Sequence, residues 1–304
     1  MIESTYYYRQ VELLLKILPL VAQEECFALK GGTAINLFIR DLPRLSVDID
    51  LVYLPLESRG DALVNANEAL NRIIERVEKI NAKAFHTKLE DSSLRIIIQQ
   101  NDVSIKLELS PVMRGVVFPP ENREVRESVE DEFGYVEMLV TSFEDLYAGK
   151  MCAALDRQHP RDLYDIKTLL ENEGLSDRLR KTFLVYLISH HRPISEVLFP
   201  KLKTNIRDKY NAEFENMSKD EVSIEELEAT FYGLVHQIHD GLSDDEKAFL
   251  LSFKGRNPDW SLLGLNGVQD LPAVKWKLIN LNKMSDESHQ LALDSLKSRL
   301  LNGG

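Results

Sequence analysis

Asp48 and Asp50 stand two apart in the run Val47-Asp48-Ile49-Asp50-Leu51-Val52. The apolar residues around them predict a strand from Val47 to Val52. Side chains on a strand alternate faces, so both carboxylates point one way while Ile49 and Leu51 point toward a core. Two bare carboxylates about 4 Å apart repel by roughly 4 kcal/mol at an effective dielectric near 20. A divalent cation between them removes that cost. Mg²⁺ is a hard ion that prefers oxygen ligands, and Mn²⁺ accepts the same donors. Taken alone, an Asp-x-Asp is better explained by a solvated strand edge or a turn.

The residues upstream make the pair more specific. The apolar run Phe27 to Leu29 ends in Gly31-Gly32, and a short segment of helical character, Thr33 to Ile39, follows. Glycine lets backbone approach a phosphate with no Cβ in the way, and the amides opening a helix favour an anion. Arg44 and Ser46 lie just before the aspartates. They are placed either to support the carboxylate strand or to touch a triphosphate. Strand, glycine turn, helix and a strand with paired acids is the layout of a metal-assisted nucleotide site.

A third acid stands further on. Arg95 to Gln99 and Val103 to Leu109 read as two strands joined by a turn at Gln100-Asn101-Asp102. In the second, Ile105, Leu107 and Leu109 share one face, and Ser104, Lys106 and Glu108 the other. Glu108 joins the aspartates if its strand neighbours theirs; otherwise it is a surface acid. Downstream, Lys150, Ala153, Ala154 and Arg157 fall on one helical face by three-and-four spacing. His159-Pro160 interrupts that helix, because proline cannot continue one from within. A second helix starts near Arg161, with Asp162 and Asp165 on one side. By spacing alone, Lys150 to Asp165 is a salt-bridged helix hairpin.

Gly31-Gly32-Thr33 followed by Arg44-x-Ser46-x-Asp48-Ile49-Asp50 resembles the opening motif of the AbiEii/MenT-like nucleotidyltransferases. These are toxins of bacterial toxin–antitoxin systems, within the polymerase-beta-like nucleotidyltransferase superfamily. Lys150-x-x-Ala153-x-x-x-Arg157, then Arg161-Asp162-x-x-Asp165, resembles a later pattern of the same family. The resemblance is motif-level over roughly residues 25 to 170. It implies an α+β fold: a mixed polymerase-beta-like sheet with flanking helices in residues 1–140, then a mostly helical C-terminal domain in 141–304. Residues 142–170 are expected to complete the active site. It also implies transfer of a nucleoside monophosphate from an NTP to an RNA acceptor, the 3′ end of tRNA, with release of pyrophosphate. Growth inhibition follows unless a cognate antitoxin encoded nearby is present.

The roles divide accordingly. Asp48, Asp50 and Glu108, the last resembling a third acid common in the superfamily, are expected to hold Mg²⁺ or Mn²⁺ and take part in catalysis. Gly31, Gly32, Thr33, Arg44, Ser46 and Lys150 are expected to bind the nucleotide. The family places functional residues at positions matching Lys150 and Asp165. Lys150 suits charge developing on the leaving pyrophosphate; Asp165 orients Lys150 or contacts base or metal.

The rest of the chain sets bounds. Helical periodicity runs through Tyr6 to Gln23, Leu63 to Ile80, Lys181 to Ile188, Ser223 to Leu234, Asp244 to Phe253 and Met284 to Leu301. Pro111, Pro119 and Pro120 break regular structure. The charged stretch Glu121 to Phe133 reads as a surface loop, and Val136 to Val140 as a last strand. Trp260 and Trp276 read as core anchors. Cys26 and Cys152 read as small apolar fillers, and the seven histidines show no metal-ligand spacing. With 304 residues, 44% of them apolar, the chain is long enough for two modest domains. No apolar stretch reaches the length of a membrane span, and the opening residues have no signal-peptide pattern, so a cytoplasmic location is expected.

The net charge of −12 argues against generic nucleic-acid affinity. The charge is uneven: residues 178–210 hold eight Lys or Arg against two acids, and residues 211–259 four against twelve. The acidity favours, as rival readings, nucleotidylation of a protein or small molecule on the same fold. A non-catalytic nucleotide- or partner-binding module is a further alternative, which the intact acids and Lys150 speak against. The chain has no Gly-x-x-x-x-Gly-Lys-Ser/Thr, which disfavours an unrelated nucleotide hydrolase.

Overall fold

The structure is a computed structural model that describes residues 6–87, 94–110, 112–215 and 217–302. Pro111 lies outside the described residues. The chain forms two compact units, Met1–Ser142 with Met217–Asp220, and Phe143–Asn216 with Glu221–Gly304.

The first unit is built on a mixed sheet. Its helix α1 (Tyr6–Val21) precedes β1 (Phe27–Lys30), and one helical turn, α2 (Gly31–Ala34), widens into a π turn at Ile35–Ile39. Then come β2 (Asp48–Tyr53), α3 (Arg59–Lys79), β3 (Lys83–Thr87), β4 (Leu94–Gln100) and β5 (Val103–Leu109). β6 (Glu121–Glu124), α4 (Glu127–Phe133) and β7 (Glu137–Val140) complete it. The strand order is β3-β4-β5-β2-β1-β7-β6. β2 runs parallel to β5 and antiparallel to β1, and β1 runs parallel to β7.

The central strands form where apolar residues alternate or run together. Ile105, Leu107 and Leu109 are buried on one parity of β5, and Ile49 and Leu51 on one parity of β2. α1 and α3 pack on the sheet. They bury Leu14, Ile17 and Leu18 from α1 and Leu70, Ile73 and Val77 from α3. Glu24, 5% exposed, ties the end of α1 to α3 by accepting from Arg72 and Arg76, each at 2.7 Å.

One expectation for this unit is corrected. Residues 121–133 are not a loop: β6 pairs antiparallel with β7, and α4 follows. Their charge comes from exposure at the sheet margin, since within α4 only Val129 is buried. β3 also went unread, because a single residue, Ala84, is buried in it and no alternation shows.

The second unit is helical throughout its regular structure. Its helices are α5 (Phe143–Asp156), α6 (Pro160–Asn172), α7 (Asp177–Ser189), α8 (Ile194–Leu198) and α9 (Ile206–Glu213). They continue with α10 (Ile224–Gly241), α11 (Asp244–Lys254), α12 (Pro272–Asn282) and α13 (Asp286–Asn302). α5 packs on α6 and α7 around Tyr147, Met151, Phe183 and Leu187. Capping boxes start α10 at Ser223/Glu226 and α11 at Ser243/Glu246, satisfying backbone donors that a helix start leaves open. Trp260 meets Phe249 and Phe253 ring to ring, as a core anchor does. Trp276 is corrected: it is 45% exposed, and Lys283 lies over its ring. Cys152 is buried and Cys26 half-buried, both free. Burial pushes the Cys26 thiol up to about 11, which suits packing and not nucleophilic chemistry.

Candidate active site

The loop joining β1 to α2 carries the first part of the site. Gly31 sits at φ +76°, a backbone region that L side chains adopt only with strain. A Cβ there would stand 3.1 Å from both Cβ and Cγ of Asp50 and collide with Oδ2. The glycine loop is therefore packed directly against one of the two aspartates. A Cβ on Gly32 would lie 2.9 Å from Arg44 Nη2 and from Ser46 Oγ. Thr33 Oγ1 donates to the Asp48 carbonyl at 2.5 Å and lies 3.1 Å from Ser46 Oγ. The Thr33 hydroxyl thus ties the helix start to the first residue of β2 and to Ser46 just before it.

Arg44 is 3% exposed and donates to the Leu45 carbonyl at 2.9 Å. Ser46 is also buried. Of the two roles expected for these residues, support of the carboxylate strand fits this burial better than contact with a triphosphate. The backbone before β2 is braced from far along the chain. Leu45 N–H donates to the Met217 carbonyl at 3.0 Å, and Lys219 N–H to the Pro43 carbonyl at 2.8 Å.

Asp48, Asp50 and Glu108 share one face of the sheet. Asp50 is the register partner of Glu108 in the parallel β2–β5 ladder, and Asp48 that of Lys106. Adjacent strands lie about 4.8 Å apart, so side chains in register are neighbours. The condition set for Glu108, that its strand adjoin the aspartates' strand, is met. The three carboxylates are half-buried, open enough to admit a ligand. Two cations on the same face partly neutralise them: Arg95 Nη2 lies 2.6 Å from Glu108 Oε1, and Lys106 Nζ 3.8 Å from Asp48 Oδ1. Neither Arg95 nor Lys106 was singled out by sequence reasoning, although Lys106 stands on the same strand parity as Glu108.

This donor set fits a hard divalent ion: three carboxylates on one open face, backed by a rigid sheet. A second geometric candidate does not fit. Asp156, His190 and His191 bring ligand atoms within 4.8 Å of one another. Asp156 is held by Arg192 at 2.7 Å, however, and the Arg192 backbone N–H donates to His190 Nδ1 at 3.2 Å. The remaining ring proton then sits on Nε2, toward Asp156 at 3.5 Å. Both groups are already used.

The second unit holds the other expected residues. Lys150, on α5 and 6% exposed, lies between Asp162 Oδ1 and Asp165 Oδ2, each at 2.9 Å. The hairpin forms because Gln158 takes a left-handed turn at φ +52° and Pro160 starts α6 with His159 as its cap. Arg157 also grips Asp162, its Nη2 donating to Oδ1 at 2.8 Å and its Nε to Oδ2. Burial alone would raise the Asp162 pKa, but Lys150 and Arg157 outweigh it and hold the carboxyl well below the usual range. Asp162 was seen to share a side with Asp165, but only Asp165 was assigned a role.

The family profile described as "Nucleotidyl transferase AbiEii toxin, Type IV TA system" matches residues 12–278. The chain belongs to the AbiEii nucleotidyltransferase toxin family. It is an enzyme of that class, in a type IV toxin–antitoxin system. Such nucleotidyltransferases take an NTP and a divalent metal, and the system implies an antitoxin partner. No curated protein matches the chain. Among solved structures it is similar to MenT4, a nucleotidyltransferase toxin from Mycobacterium tuberculosis H37Rv. The TM-score is 0.62 at 13% identity, over 92% of this chain and 95% of that one. At that identity the likeness speaks for the fold. Among the described residues, no helix is long and apolar enough to cross a membrane.

Proposed function

We propose that this AbiEii-family toxin transfers a nucleoside monophosphate from an NTP to the 3′-terminal hydroxyl of tRNA and thereby blocks translation. The observation that supports the reading is the packing of Gly31 against Asp50, which brings the glycine loop against the carboxylate face. In the reaction the acceptor oxygen forms a bond to the α-phosphorus. The bond from that phosphorus to the bridging oxygen breaks, and pyrophosphate leaves. Mg²⁺, or Mn²⁺ in its place, when bound supplies positive charge to the entering and leaving oxygens. Asp48, Asp50 and Glu108 would hold it. Glu108 also takes the proton of the attacking hydroxyl, and Arg95 fixes its carboxylate. Gly31, Gly32 and Thr33 give the triphosphate a close approach to backbone. Lys150, with Asp165 orienting it, neutralises charge on the departing pyrophosphate. We place the reaction in the cytoplasm, where NTPs and tRNA meet.

Purified protein incubated with each labelled NTP, Mg²⁺ or Mn²⁺ and total tRNA tests this. Label on the tRNA 3′ end is expected, and lost in Asp48→Asn. No labelled RNA with any NTP would defeat the proposal. The net charge of −12 favours a second reading, nucleotidylation of a protein, for which label would appear on polypeptide instead.

A further inference from the structure

Lys150 lies between two buried acids, 2.9 Å from Asp162 Oδ1 and 2.9 Å from Asp165 Oδ2. Asp162, 1% exposed, has both carboxylate oxygens engaged by cations. Its Oδ1 accepts from Lys150 and from Arg157 Nη2, and its Oδ2 from Arg157 Nε. A planar guanidinium that meets a carboxylate through two nitrogens fixes the plane of that carboxylate. The lone-pair direction offered to Lys150 is fixed with it. Lys150 is otherwise a flexible four-carbon stem ending in a point charge. Arg157 follows Lys150 by seven residues, one position past the end of α5, where its backbone N–H still donates to the Ala153 carbonyl at 2.9 Å. The Arg157 side chain is 62% exposed, so it is held by Asp162 while still reaching solvent.

We propose that Asp162 is a positioning residue for Lys150 alongside Asp165: clamped by Arg157, it sets the direction of the ammonium group toward the departing pyrophosphate. Asp162 touches neither nucleotide nor acceptor in this scheme and acts only through Lys150. The proposal rests on the reading of Lys150 as a functional residue. Two other arrangements of the hairpin were available to the sequence. A Lys150–Asp165 pair alone would leave the lysine free to rotate about one contact. A Lys150–Asp162 pair without Arg157 would leave the carboxylate free to turn. The observed chain Arg157–Asp162–Lys150–Asp165 removes both freedoms.

The test compares Asp162→Asn and Asp162→Glu in the full-length protein, assayed at a temperature where circular dichroism shows both folded. Asn keeps the shape and loses the charge. Its kcat is expected to fall about 10- to 100-fold, the scale of a misplaced catalytic group, with KM for the NTP within about threefold. Glu should recover a large part of that loss. A role confined to holding the hairpin together would lower the melting temperature and leave kcat of the folded fraction unchanged. It would also give Glu no advantage over Asn. Either result overturns the proposal. Should Asp162→Asn fail to fold, Arg157→Gln reports on the clamp from its exposed end. A fall in kcat of about fivefold or more at a near-native melting temperature is expected, and no fall overturns the proposal. Lys150→Ala separates the two levels. If it retains full activity, the reading of Lys150 has failed; if it is inactive while Asp162→Asn is normal, only the positioning role has.

Discussion

Replacing Gly31 by alanine tests the coupling between the loop and the carboxylate face. Two effects add. The first is backbone strain: at φ +76° a Cβ costs about 1–2 kcal/mol. The second is contact: the new methyl would stand 3.1 Å from Asp50 Cβ and Cγ and overlap Oδ2. Carbon–carbon contacts settle near 3.5–4.0 Å, so the Asp50 side chain must move by roughly 0.5–1 Å. A displacement of that size at reacting groups costs on the order of 10²-fold in rate. Gly174 supplies the control, with φ +71° and nothing within 4 Å of an added Cβ. Gly174→Ala is therefore expected to lose the backbone-strain part alone in chemical denaturation, and Gly31→Ala that part plus the cost of the contact. Only Gly31→Ala should lose about 10²-fold in NMP transfer and weaken Mn²⁺-dependent thermal stabilisation. Equal activity of the two variants, both folded, would refute the claim that this loop and Asp50 form one site.

Further outcomes follow from the same contacts. Asp50→Asn removes one charge from the metal face and should lower kcat on the order of 10³-fold, since metal stabilisation is worth several kcal/mol. Retained activity without shifted Mn²⁺ dependence in titration would contradict the assignment. Glu24→Gln leaves Arg72 and Arg76 without their buried partner; a loss of about 2 kcal/mol is expected in urea melts, below the fully buried case because Arg72 is 50% exposed. Burial, with the nearby His191 adding to it, lowers the His190 pKa to about 4. The unfolded chain then binds the extra proton between pH 6.5 and 4. The stability His190 contributes is complete above pH 6.5 and is lost as pH falls through about 4. With solvent screening of the part-exposed ring, roughly 1–2 kcal/mol is involved. Melting temperature against pH should show this slope, and His190→Asn should flatten it.

What could be read from the chain depended on burial. β5 was legible because strict alternation from Val103 to Leu109 leaves one parity apolar, and that alternation put Glu108 on the right face. Asp48 and Asp50 were legible for the same reason. β6 and α4 were hidden because margin elements bury little, so their composition looks like a loop's. The π turn at Ile35–Ile39 has no separate sequence signal, since its residues suit an ordinary helix as well. Asp162 and Asp165 could be placed on one side by spacing. The clamp by Arg157 depends on how the α5–α6 turn closes, which periodicity does not report. Trp276 departs from expectation because a large aromatic in an apolar setting is normally packed, whereas here the ring is 45% exposed with the Lys283 ammonium over it.

The brace from Met217 to Lys219 bears on how the protein can be divided. The polypeptide leaves the sheet unit at Ser142, comes back for a tetrapeptide, and leaves again. A fragment cut after Ser142 would keep Asp48, Asp50 and Glu108 yet lack the strand-like partner for the backbone of Pro43 and Leu45. The stretch leading into Asp48 would be left with unmet amide and carbonyl groups. Catalytic-half expression, split reporters and nested deletions should therefore yield poorly formed metal sites even though these three acids are encoded. A graft that restores the tetrapeptide beside Pro43 would be the minimal repair.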